Sequence, residues 1–296
     1  MKYFGSSTFQ FQLLFQLAGI VLFQLFNFSA LTQALICGVA LCVIGIPHGA
    51  NDYLYRNDQS KAGLIKFLLR YVGIMALYLA AWWLMPVLAL AIFFIVSVHH
   101  FGQSNFENHQ VWHIPSLLWG IWTLLLPVLL HYQEALLIFK SMVSLTGFEG
   151  ELKSESVSLE IWQGVVMLIF SGVYTISLFY YERKAVIPYL IQFVLVTIWY
   201  TITPLLFGFI VVFCLWHSIQ SLQHQSHYFK EVFSKSTRAF VYAMLPFSAI
   251  ALLSFGAYVM FFEFNISLSF VLLSLISLPH VIVMHQLYKS EVRSFA

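Results

Sequence analysis

The chain alternates between long apolar runs and short polar connections. A membrane-crossing helix needs about 20 predominantly apolar residues, and about ten runs approach that length. They cover residues 11–28, 30–48, 64–85, 87–104, 115–131, 159–181, 186–202, 204–222, 239–262 and 266–287. We therefore predict an all-α fold, a polytopic transmembrane helix bundle of about ten helices (between about eight and about ten). It is predicted to form a single integral membrane domain over residues 1–296.

Composition supports a membrane protein and excludes an ordinary soluble domain. Hydrophobic residues make up 60% of the chain and charged residues only 9%, whereas soluble domains carry about 25% charged residues. The mean hydropathy is +0.85. A net charge of +2 without a basic run gives no basis for binding nucleic acid. Cys37, Cys42 and Cys214 lie in apolar runs without CxxC spacing, so we predict core thiols rather than disulfides.

The positions of the cationic residues predict the orientation of the bundle. Of the 14 lysine and arginine residues, all but Lys140 and Lys153 fall on one side if the first helix starts there. Cationic residues favour the cytoplasmic side of a membrane. We therefore predict that both termini are cytoplasmic, in a multi-pass protein of the inner (cytoplasmic) membrane of the cell.

A polar octet, Gly45–Asp52, interrupts the apolar pattern near the end of the second run. It contains His48, and three further stretches place histidines near the ends of other even-numbered runs. Ionisable residues inside a membrane are costly and usually have a function. Histidines on even-numbered helices lie at one depth, so we predict that they meet in space. The histidines concerned are His48, His99, His100, His217, His280 and His285.

Several imidazoles without cysteine or paired carboxylates suit iron, zinc or copper. Asp52 follows His48 by one helical turn if the helix continues, so we expect it to accept a hydrogen bond from that imidazole. Gly49 and Gly102 are expected to allow close approach of another backbone or a ligand. Alternatives are a bis-histidine haem protein, a metal or proton transporter, and histidines that merely bond neighbouring helices. No nucleophile elbow, P-loop, dinucleotide fingerprint or HExxH motif is present.

At these motifs the chain resembles the Brp/Blh-type membrane β-carotene 15,15′-dioxygenases, which are related to the bacteriorhodopsin-associated Brp protein. The matching motifs are Gly45-Ile46-Pro47-His48-Gly49-Ala50-Asn51-Asp52, His100-Phe101-Gly102, Phe213-Cys214-Leu215-Trp216-His217-Ser218 and Leu278-Pro279-His280. The resemblance implies a non-haem Fe(2+) site that uses O₂ to split β-carotene into retinal. It also implies that His48, His100 and His217 are iron ligands. A microbial opsin that receives retinal is an expected partner in the lipid bilayer.

Two positions depart from the family pattern. The family motif HSxxH places a second histidine where this chain has Ser221, and an acidic residue usually follows HFG where this chain has Gln103. The fourth ligand is then His280, or it is His224, which lies about 10 Å along the helix from His217. His99 and His285 are additional candidate ligands. Alternatively the site is incomplete, and the chain is an inactive or altered relative that accompanies carotenoids or opsins.

Overall fold

The computed structural model describes residues 7–56, 58–106, 112–144, 160–261 and 265–294. Within these ranges the secondary structure is helical and contains no strand, which confirms the all-α prediction. The α-helices are α1 (Ser7–Leu25), α2 (Ala30–Ala40), α3 (Ile46–Gly49), α4 (Lys61–Leu84), α5 (Pro86–Phe106), α6 (Ile114–Leu130), α7 (Tyr132–Ser144), α8 (Ile161–Tyr181), α9 (Val186–Ile202), α10 (Leu205–Val212), α11 (Ile219–Phe233), α12 (Thr237–Phe261) and α13 (Ile266–Ser294). Two π-helices, Leu41–Gly45 and Phe213–Ser218, and a 3₁₀-helix, Asp52–Tyr55, complete the set.

Each of the ten predicted runs coincides with a helical segment. Eight helical segments of the described chain are long and apolar enough to cross a membrane, or nine if a bent pair counts as one span. The bent pair is α6 and α7, whose axes differ by 105°, and α9 is a shorter apolar helix. The prediction of a polytopic membrane bundle is therefore confirmed, within the expected number of spans.

Local sequence signals explain where several helices begin. Ser29 and Ser60 are N-caps whose hydroxyls accept backbone N–H bonds from Thr32 and Gly63. Glu160 and Gln163 form a reciprocal capping box at the start of α8. Such caps satisfy N–H groups that have no partner within the helix, and each contributes about 1 kcal/mol.

Burial separates a central layer of helices from a peripheral one. In the α10–α11 segment, Leu205–Phe233, 67% of the residues in its most apolar stretch are buried, against 6% of those in α4 and in α12. The peripheral helices carry many exposed large apolar side chains, which suit contact with lipid. The segment that contains His217 therefore lies at the centre of the bundle.

Two glycines allow α5 and α6 to pack closely. A Cβ atom on Gly102 would collide with the backbone carbonyl of Ser116, and one on Gly120 would collide with the carbonyl of Val98. Small residues let membrane helices approach in this way. The expectation for Gly102 is therefore confirmed. This contact fixes the position of the second half of α5, which carries His100.

The expected close approach of another backbone is not found at Gly49. A Cβ on Gly49 would meet only the ring of His280, at an ordinary distance of 4.0 Å. The second close approach is instead at Gly45, where a Cβ would lie 2.9 Å from the Leu41 side chain and 3.2 Å from both Cys214 and Phe213. Gly45 therefore lets the two π-helices pack against each other.

Candidate metal centre

Four buried histidines form a closed ring of side chains in the centre of the bundle. His48 follows the first π-helix, His100 lies on α5, His217 lies in the second π-helix and His280 lies on α13. The distances between ring centroids are 5.2 Å for His48–His217, 4.6 Å for His217–His100, 4.9 Å for His100–His280 and 5.3 Å for His280–His48. Each side chain is at most 6% exposed. The structure thus brings together one histidine from each of the four sequence motifs.

Three of these histidines already have the spacing of a metal site. One ring nitrogen from each of His48, His100 and His217 lies within 4.8 Å of the other two. His280 falls outside that strict group but contacts the rings of both His48 and His100. We therefore treat the four as one cluster, with His280 as its most distant member.

The two π-helices explain how His48 and His217 come to face each other. A π-helical turn contains an extra residue, and such turns occur frequently at functional sites. Its carbonyls do not all find regular helical partners, and here the side chain of Gln12 on α1 donates to the Leu215 carbonyl at 2.6 Å. Gln16 accepts a hydrogen bond from the indole of Trp216 at 3.1 Å. Helix α1 therefore supports the turn that presents His217.

Hydrogen bonds fix the orientation of three of the four imidazoles. The Nδ1 atom of His48 donates to the Gly45 carbonyl. The Nδ1 atom of His280 bonds Asp52 Oδ1 at 2.7 Å. Ser104 donates its hydroxyl to the Phe101 carbonyl at 3.0 Å, so its oxygen is left to accept from His217 Nδ1 at 3.0 Å. In the neutral form of each of these three rings the lone pair is therefore on Nε2.

The remaining ring nitrogens include buried atoms without a partner. Among the described residues, neither nitrogen of His100 has a hydrogen-bond partner, and neither does Nε2 of His280. A buried polar atom without a partner costs about 1–3 kcal/mol. A metal ion bound by the four imidazoles would remove that cost, because imidazole nitrogen is a good ligand for iron, zinc and copper. The donor set therefore fits a metal ion.

Asp52 supports a different histidine from the expected one. We expected it to bond His48 one turn earlier, but it bonds His280 instead. The reason is local: the α-helix ends at Gly49, and Asp52 begins a 3₁₀-helix, which turns its side chain towards α13. Tyr71 of α4 donates to the other carboxylate oxygen at 2.9 Å. Asp52 therefore links the end of the octet to the fourth histidine.

Ser221, where the resemblance leads us to expect a second histidine, is completely buried. Its hydroxyl accepts a hydrogen bond from Gln225 Nε2 at 3.2 Å, and the same amide donates to the His48 carbonyl at 2.9 Å. The Gln225 oxygen accepts from Tyr55 at 3.2 Å. Sequence reasoning missed Gln225, although it lies two turns beyond His217 on one helical face. Ser221 and Gln225 therefore contribute to the backbone support of His48.

The other candidate histidines lie outside the four-ring cluster. His99 packs against His285, with 5.7 Å between ring centroids, and Gln103 bonds His285 Nδ1 at 3.2 Å. His224 packs against the ring of Tyr288 at 5.5 Å. His224 is nevertheless buried.

Aromatic side chains enclose the cluster. Phe101 stacks flat on His217 with 4.1 Å between ring centroids, and Phe213 lies 5.6 Å from the same ring and 5.4 Å from His48. Both residues are within the matching motifs, but their role is visible only in three dimensions. The site is therefore a buried cluster of imidazole nitrogen donors, enclosed by aromatic rings, with one carboxylate behind it.

Comparison with known proteins gives two matches. A family model described as β-carotene 15,15′-dioxygenase matches residues 39–288. A protein of an uncultured marine bacterium (66A03), named β-carotene 15,15′-dioxygenase, is 25% identical over 280 residues, which cover 86% of this chain and 94% of that protein. No solved structure matches the chain. All four histidines of the cluster lie within the region that the family model covers.

Proposed function

Since the chain belongs to the β-carotene 15,15′-dioxygenase family, we propose that it splits the central double bond of β-carotene with O₂. One carbon–carbon double bond breaks, each carbon gains one oxygen atom, and two molecules of retinal form. The proposed cofactor is Fe(2+), held by His48, His100, His217 and His280.

The observation that carries this proposal is the buried ring of four imidazoles. Three of them have Nδ1 bonded to the protein, which leaves Nε2 as the donor to a metal ion. Such outer hydrogen bonds normally orient metal-binding histidines. His280 supplies a fourth nitrogen, so the serine at position 221 does not leave the site with three.

A bound ferrous ion would supply the redox chemistry that O₂ requires. The residues of the chain do the rest. His48, His217 and His280 are held in one tautomer, and Asp52 places a negative charge behind His280. Burial of the site excludes water, and the apolar surfaces of Phe101 and Phe213 suit a hydrocarbon polyene. β-Carotene gains nothing from crossing water, so we propose that it enters from the bilayer.

The contact pattern favours a non-haem ion over bis-histidine haem. The four imidazoles contact one another directly, and Phe101 lies flat on His217. A porphyrin needs an open plane between its two axial histidines. A Soret band in the purified protein would contradict this part of the proposal.

The first test is expression in a bacterium engineered to accumulate β-carotene, followed by chromatography of extracted pigment. We expect loss of β-carotene and formation of retinal with the wild-type protein. The matched control is His48→Ala, inserted in the membrane at equal amount, which should form none. Unchanged pigment with well-expressed, iron-loaded wild-type protein would overturn central cleavage of β-carotene.

The proposed setting is the inner (cytoplasmic) membrane with both termini in the cytoplasm, and a microbial opsin as recipient of retinal. Reporter fusions at each terminus, one active only in the cytoplasm and one only outside it, test the orientation. Activity of the outside reporter at either terminus would contradict it.

A further inference from the structure

An apolar cavity of about 70 Å³ lies between α5, α6, α7, α10 and α13. Its lining consists of hydrophobic side chains, with Ser97 as the one polar side chain among the lining residues. An apolar cavity of this kind does not hold ordered water, because water needs polar partners. The cavity therefore suits a hydrocarbon ligand. The proposed metal site and its hydrogen bonds do not include it.

The cavity lies next to the histidine cluster. Ser97 lines it and precedes His100 by three residues on α5, which is about 4.5 Å along the axis. Phe209 also lines the cavity and stacks with Phe213, with 6.3 Å between ring centroids. Phe213 in turn packs on His217. One layer of side chains therefore separates the cavity from the metal ligands.

Part of the cavity lining is incompletely buried. Several of its lining residues are only half-buried: Phe93, Phe94, Val128, Phe139 and Phe270. Phe94 and Phe139 contact each other edge to face at 5.3 Å. Contacts of this kind contribute about 1 kcal/mol, so they can open without unfolding a helix. We infer that these rings form the mouth of the cavity on the side that faces the bilayer.

The size of the cavity selects its occupant. A cavity of about 150 Å³ accommodates benzene, and one water molecule takes about 30 Å³ of the liquid. A space of about 70 Å³ is thus too small for a methylated ring but sufficient for a short piece of unbranched or singly methylated chain. The polyene of a carotenoid has that narrow cross-section.

We propose that this cavity binds a short, singly methylated segment of one polyene arm of the carotenoid, between the bond that is cut and the end ring. The end ring then lies at or beyond the mouth, towards lipid. The proposal rests on the proposed function for the identity of the polyene. It assigns Val128, Ala135 and the phenylalanine mouth to substrate binding rather than to catalysis.

The test measures carotenoid binding without cleavage. Purified protein in lipid nanodiscs is titrated with β-carotene in the absence of O₂, and visible circular dichroism is recorded. β-Carotene is achiral, so its visible signal, after subtraction of the signal from nanodiscs without the protein, reports molecules held in the chiral protein. Val128→Trp fills the cavity from α6, and its matched control is Leu125→Trp, on the same helix but exposed and not among the lining residues.

We expect wild type and Leu125→Trp to give equal dichroism signals. The signal of Val128→Trp should be smaller by at least about fivefold. Ala135→Leu fills the cavity from α7 and should lower the signal in the same direction, which provides a second variant if Val128→Trp does not fold. Equal signals from Val128→Trp and Leu125→Trp at equal iron content would overturn the proposal, and so would the absence of a wild-type signal.

The same samples, transferred to air, separate this proposal from the proposed function. If retinal forms but Val128→Trp does not change the dichroism signal, the proposed cavity site is wrong and the proposed cleavage reaction stands. If Val128→Trp abolishes the dichroism signal but the wild-type protein forms no retinal, the carotenoid site stands and the proposed cleavage reaction is wrong.

Discussion

His99 and His100 are adjacent in the chain, but they belong to different histidine groups. His100 is 4% exposed and contacts the rings of His217 and His280, and neither of its nitrogens has a partner among the described residues. His99 is half-buried and packs against His285, beside Gln103. One residue along a helix rotates a side chain by about 100°. Membrane depth therefore does not define this site; the helix face and the hydrogen bonds behind each imidazole do.

The largest expected effect is the difference between His100→Ala and His99→Ala. Loss of a proposed ligand should reduce iron content and retinal formation by more than about 100-fold, beyond the range for outer residues. His99→Ala should retain at least about half of both, because its ring lies outside the cluster. Iron analysis and product chromatography on equal amounts of protein measure this. Similar losses in both variants would show that the two groups form one site.

Asp52→Ala should give the next largest effect. The carboxylate orients His280 and carries the charge that complements a bound cation, and removing such a partner typically costs about 10–100-fold in metal affinity or activity. Chelator competition measures the affinity. Asp58→Ala is the matched control, since Asp58 lies in the exposed connection before α4 and bonds the backbone of Ser60. An unchanged iron affinity in Asp52→Ala would remove His280 from the ligand set.

Ser104→Ala should have a smaller effect, about 10-fold in iron affinity. It removes the acceptor for His217 Nδ1 but leaves the stack of that ring on Phe101, which still limits its rotation. Ser171→Ala on α8 also deletes a hydroxyl that bonds its own helix, in a partly buried position, and it provides the control. A loss as large as that of His100→Ala would mean that Phe101 does not hold the ring.

The sequence predicted the helices and the meeting of the four motifs, because apolar run length and membrane depth are one-dimensional properties. The partners behind the imidazoles were not predictable in the same way. Asp52 was assigned to His48 on the assumption of a continuous α-helix, and the end of that helix at Gly49 turned it to His280. Ser104 and Gln225 act through contacts between distant segments. The extra residue in each π-helix has no periodic signature that would have revealed it.

The smallest expected effect concerns Ser221, and it sharpens the comparison most. The family resemblance leads us to expect a histidine at this position, but Ser221 accepts one hydrogen bond from Gln225, which also bonds the His48 carbonyl. Ser221→Ala should therefore change iron content and retinal formation by less than about fivefold, since one such bond contributes about 1 kcal/mol or less. The same two assays on Ser221→Ala measure it, with His280→Ala as the contrasting variant. A large loss in Ser221→Ala with little loss in His280→Ala would show that Ser221, and not His280, supports the fourth metal position. The reverse order supports His280 on α13 as the fourth ligand.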